Sequence, residues 1–73
     1  MILDREKLQL LMAKKEMNAS DLAKKGHISN SALYKYVKGT LNPSIKQIGK
    51  IANALEVDVT EIIGDETKKE QTQ

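Results

Sequence analysis

Apolar residues fall along this chain in short groups, and five of the groups begin alike. A polar residue able to cap a helix is preceded by an apolar residue and followed four positions later by another. The pattern occurs at Leu3-Asp4 with Leu8, Met17-Asn18 with Leu22, Ile28-Ser29 with Leu33 and Val57-Asp58 with Ile62, and in a weaker form at Pro43-Ser44 with Ile48. A capping oxygen accepts from an otherwise unpaired amide of the first turn while the apolar pair closes over it, so each instance predicts a helix start. Gln47 after Ser44 and Glu61 after Asp58 stand where a reciprocal partner would reach back to the cap amide. Leu8, Leu11 and Met12 share one face of the first helix, and Ile45, Ile48, Ile51, Ala52 and Leu55 one face of the fourth; both stripes are read as core. No window alternates with period two, so no strand is expected. Gly26, the Gly39–Pro43 stretch and Gly64 separate the predicted helices. Gly49 lies inside the fourth, at a cost of about 1 kcal/mol against alanine, which a close helix contact would explain. The expectation is an all-α, compact five-helix bundle over residues 1–64, followed by a disordered polar tail over 65–73.

Seventy-three residues must share one core. The absence of cysteine removes disulfides and cysteine-ligated zinc as staples. Met1–Arg5 has no signal-peptide core and no stretch approaches membrane-spanning length, so a cytoplasmic protein with no membrane partner is expected. No glycine-rich phosphate loop, metal-ligand spacing or cysteine nucleophile is present, and the lone His27 falls in a turn, where a structural role is favoured over a proton switch. The chain is therefore read as no enzyme, with no cofactor, metal or small-molecule ligand. Charge changes the picture more than composition does. Residues 14–50 carry eight lysines against Glu16 and Asp21, a balance of +6, and residues 51–73 carry two lysines against six acids, −4. A basic middle segment suits phosphate neutralisation, although a solvated lysine surface has the same composition.

The second and third caps, Asn18 and Ser29, are eleven residues apart, which leaves room for two short helices and a tight turn at Gly26-His27, the outline of a helix-turn-helix. Leu22-Ala23, Ile28-Ser29, Lys38-Gly39, Asn42-Pro43-Ser44 and the run from Ala52 to Gly64 keep their order and spacing without gaps. On these residues the chain, from about Leu8 to Ile63, resembles the Cro and phage-repressor (XRE-type) family, whose fold is the lambda-repressor-like helical domain.

The resemblance implies a sequence-specific regulator of transcription, a repressor, that reads the major groove of double-stranded DNA with helix 29–38. Asn30, Ser31 and Lys35 fall at its base-reading positions; Asn pairs with adenine, Lys donates to guanine, and Ser serves either. Asn18, Ser29, Tyr34, Lys38, Thr40 and Asn42 fall where the backbone is held. Tyr36 falls on the Leu33 face and is expected in the core. The implied partner is a palindromic operator bound by a weak homodimer, joined around Leu55, Val57, Val59 and Ile63. Three departures stand out. Ala19 replaces a phosphate-gripping Gln. His27 takes the place of the turn glycine, so either it is left-handed or the turn is shifted. Met12 and Val37 replace an Arg–Glu pair, and loss of both charges predicts that the two side chains touch. The alternative reading is a helical protein-interaction module or antitoxin-like subunit.

Overall fold

Four of the five caps act as the sequence predicts. In the computed structural model, which describes residues 2–64, the Asp4, Asn18, Ser29 and Ser44 side chains accept from the amides of Lys7, Asp21, Ala32 and Gln47. They open helices α1 (Arg5–Lys14), α2 (Ala19–Gly26), α3 (Asn30–Lys38) and α4 (Ile45–Leu55). The apolar partners of every predicted cap close over it: Leu8, Leu22, Leu33, Ile48 and Ile62 are almost fully buried. The fifth start gives only a 3-10 turn, Val59–Glu61. There the Asp58 carboxylate takes the Thr60 hydroxyl as its partner and caps no backbone amide. That bond is the leading reason its carboxyl lies below the usual range. The β-branched residues Val57, Val59, Thr60, Ile62 and Ile63 also resist helix extension.

The expectation of no strand is also corrected. Ile2–Leu3 (β1) and Ile63–Gly64 (β2) pair antiparallel, Ile2 opposite Gly64 and Leu3 opposite Ile63, so Gly64 lies within a strand. The Asp4 amide extends the ladder to the Ile62 carbonyl at 2.8 Å. Two residues per strand are too few to show an alternation. The predicted disorder of 65–73 falls outside the described residues.

All four helices are closed alike: a backbone amide just past the helix bonds the carbonyl five residues back, Met17 to Met12, Ile28 to Ala23, Thr40 to Lys35 and Val57 to Ala52. This closure turns the intervening residue left-handed. Glu16, His27 and Glu56 take that conformation at φ 56°, 57° and 59°, as does Gly39 at 86°, which resolves the turn at His27 in favour of the left-handed alternative. Met17, Ile28 and Val57 then serve twice, since the residue that closes one helix is the apolar residue before the next cap.

The core joins Leu3, Leu8, Met12, Leu22, Ala23, Ile28, Leu33, Tyr36, Ile48, Ile51, Ala52, Ala54, Leu55 and Ile62. Met12, on α1, is a member of this core, and half-buried Val37, on α3, packs against the core. Ile45, expected inside, is 72% exposed; at the first position of α4, beyond Pro43, it projects past the helices the rest of the stripe covers. The close approach expected at Gly49 occurs at Gly26, where an added Cβ would lie 3.4 Å from both the Ala54 Cβ and the Lys50 carbonyl. Around Gly49 a Cβ would meet nothing within 4 Å. Gly49→Ala is therefore expected to recover the helix-propensity deficit of about 1 kcal/mol, read as a rise in thermal midpoint of roughly 4–8 °C.

Candidate nucleic-acid interface

Helix α3 divides cleanly between inside and outside. Leu33 and Tyr36 are buried and Val37 is half-buried, whereas Asn30, Ser31, Tyr34, Lys35 and Lys38 are exposed. Their spacing of one, four, five and eight residues from Asn30 places them on one side of a helix about 14 Å long. No acidic residue lies in α3 or in the following loop.

The ends of the helix decide how these groups are presented. Ser29 Oγ accepts from the Ala32 amide at 3.1 Å, and its own proton remains available, because a hydroxyl both donates and accepts. Asn18 behaves similarly at the start of α2. Its Oδ1 accepts from the Asp21 amide at 2.8 Å, Asp21 Oδ2 accepts from the Asn18 amide at 3.2 Å, and the Asn18 side-chain amide group keeps its donors. The reciprocal capping box is thus here, and at Ser44 the Gln47 Oε1 is buried without a partner. At the other end of α3, Lys38 Nζ sits 5.5 Å from the centre of the Tyr34 ring, a cation–π arrangement that holds both side chains on the exposed face. Thr40 is exposed, and its hydroxyl donates to the Lys35 carbonyl at 3.4 Å. Asn42 is exposed in the loop beside buried Pro43. All nine predicted residues therefore lie on α3 or at the segments flanking α2 and α3, with Thr40 the one whose donor is already engaged.

Ala19 leaves a visible mark. Asn18, Ala19, Ser20, Asn30 and Tyr34 line an open groove of about 260 Å³ between the first turns of α2 and α3. On the opposite end of α2, Lys25 Nζ donates to Glu56 Oε2 at 2.9 Å, and this bond, with the charges of Lys25 and Lys15, holds the Glu56 carboxyl below its ordinary range. Among the described residues no cluster of His, Cys, Asp or Glu could hold a metal ion, and no helix is long and apolar enough to cross a membrane. Two residues of α1 outside the sequence-based expectation, Arg5 and Gln9, reach the carbonyls of Lys38 and Val37; their signal lies in tertiary geometry, not in local pattern.

A family model describing the Cro/C1-type HTH DNA-binding domain matches residues 7–68. The chain belongs to this Cro/C1-type family. As a member it is a DNA-binding regulator of transcription with a helix-turn-helix made by α2 and α3. Among solved structures, the crystal structure of the restriction-modification controller protein C.AhdI from Aeromonas hydrophila is similar, at TM-score 0.74 and 26% identity, over 78% of this chain and 86% of that one. No curated protein matches by sequence. The match spans His27, which takes the left-handed conformation in the turn between α2 and α3.

Proposed function

We propose that the protein is a cytoplasmic, sequence-specific repressor that occupies a double-stranded operator by inserting α3 into the major groove. The observation that carries this reading is the exposed face of α3, five polar or aromatic side chains without an acid among them. Asn30, Ser31 and Lys35 read base edges. Asn18, Ser29, Tyr34, Lys38, Thr40 and Asn42 hold the backbone, Thr40 after giving up its bond to Lys35. The likeness to a controller protein supports control of transcription as the role of binding.

Two copies would bind a palindromic site with half-sites about 34 Å apart. Of the four residues expected at their contact, Leu55 is withdrawn because it is fully buried in the protein's own core. Val57, Val59 and Ile63 stay half-buried and give a small, weak contact.

Duplexes selected from a random pool test the proposal. Affinity should fall steeply with salt, and Lys38→Ala should weaken binding to all sequences alike while lowering the slope of log affinity against log salt by about one. A protein indifferent to duplex DNA at low ionic strength would leave the interaction-module reading in its place.

A further inference from the structure

The last turn of an α-helix leaves four carbonyls without intrahelical partners. In α3 these are Lys35, Tyr36, Val37 and Lys38. The amides of Gly39 and Thr40 take the first two. The others are taken from α1: Arg5 Nη1 donates to the Lys38 carbonyl at 2.7 Å, across 33 residues of sequence, and Gln9 Nε2 donates to the Val37 carbonyl at 3.4 Å. Arg5 and Gln9 are one turn apart and project from one side of α1. A cation at a helix C-terminus also opposes the partial negative charge there.

Gly39 completes the arrangement. A Cβ at this position would stand 2.7 Å from the Cδ, Nε and Cζ of Arg5, so the guanidinium end of Arg5 lies directly against the glycine. The position is left-handed as well, at φ 86°. Glycine is needed there for its backbone and for the room it leaves Arg5.

The buried residues that α1 and α3 add to the common core are apolar, Leu8 and Met12 from one and Leu33 and Tyr36 from the other, with half-buried Val37 packed against that core. Such packing is non-directional and tolerates small rotations, whereas hydrogen bonds to two consecutive carbonyls do not. We propose that Arg5 and Gln9 are positioning residues for DNA binding. They form a clamp that fixes the C-terminal end of α3, and the segment Lys38–Asn42 beyond it, without touching DNA. The proposal rests on α3 being the DNA-reading helix, but the clamp can also be observed without DNA.

Arg5→Met keeps an unbranched side chain of similar reach and removes the donors. In the free protein, amide hydrogen exchange at Gly39 and Thr40 should accelerate while α2 and α4 keep their protection; equal acceleration throughout would mean general destabilisation and overturn the clamp. With the tightest duplex from a random pool, Arg5→Met should weaken binding about tenfold, the effect of losing one charge-assisted hydrogen bond. The salt slope should stay unchanged, and Arg5→Lys, which can still donate to Lys38, should restore part of the loss. A slope lower by about one in Arg5→Met would make Arg5 a phosphate ligand and overturn the proposal. Gln9→Ala, which leaves the glycine contact alone, should show a smaller change of the same kind. Unchanged exchange and affinity in both variants would also overturn it, whereas a wild-type protein that ignores DNA but shows the exchange effect would sink the functional reading and leave the clamp standing.

Discussion

Asn30→Ala combined with Lys35→Ala is expected to collapse the protein's preference for its selected duplex over a scrambled one, while binding to both persists at low salt. Each good side-chain pairing with a base edge is worth about 1–3 kcal/mol of discrimination, so two together amount to about 2–6 kcal/mol, or roughly thirty-fold to ten-thousand-fold in the affinity ratio. Both side chains are exposed and neither makes a hydrogen bond within the protein through its own polar atoms among the described residues. The cap that opens α3 belongs to Ser29, which the variant keeps. Circular dichroism should therefore be unchanged, and the loss belongs to recognition and not to folding. Non-specific affinity should drop by little more than the share of one lysine. A double variant that stays folded and discriminates as well as the wild type would place base reading on other residues.

That prediction depends on the part of the site most legible in sequence. The face holding Asn30, Ser31, Tyr34 and Lys35 follows from one cap and a period of 3.6 residues, because once Ser29 sets the start the buried positions at Leu33 and Tyr36 set the rotation of the helix. Caps are local devices, and at Asp4, Asn18, Ser29 and Ser44 nothing distant competes with them. At Asp58 a neighbour does: Thr60 takes the carboxylate, and the strand pairing of Ile63 and Gly64 with Ile2 and Leu3 claims the chain beyond. Neither the pairing nor the clamp from Arg5 and Gln9 is visible in a window of sequence, since each joins residues 28 or more positions apart. The exposure of Ile45 was hidden for a related reason. Its period matches the core stripe of α4, but whether the first residue of a helix is covered depends on where the neighbouring helices end. The close contact expected at Gly49 lies elsewhere for the same reason, because a glycine inside a helix marks a close approach only when another helix is near, as it is at Gly26.

Glu16→Gly, His27→Gly and Glu56→Gly should together stabilise the protein by about 2 kcal/mol. A left-handed conformation costs a residue with a Cβ about 1–2 kcal/mol, and glycine returns roughly half of that gain through its freer unfolded chain, leaving something near 0.7 kcal/mol per site. At all three positions the left-handed turn is imposed by a closing bond from the next residue, Met17, Ile28 or Val57, so relaxing the residue does not relax the turn. Glu16 also places a negative charge at a helix C-terminus, where it is disfavoured. For a domain of this size the summed gain corresponds to a rise of roughly 10 °C in the thermal midpoint. Glu56 adds a pH dependence. Its carboxyl is held below the ordinary range by Lys25, so in the wild type this ion pair supports the fold above the unfolded carboxyl pKa and is lost as pH falls through the lower, folded value. Glu56→Gly gives up that support. Its advantage over the wild type should therefore be smallest near neutral pH and grow on acidification. Because Lys25 also ties Glu56 to the end of α2 beside His27, the Glu56 and His27 changes can couple, while Glu16, at the end of α1, should add independently. Thermal melts of the three single variants, the His27/Glu56 double and the triple, at neutral and acid pH, check each term; a triple variant no more stable than the wild type would show that the left-handed residues carry no strain.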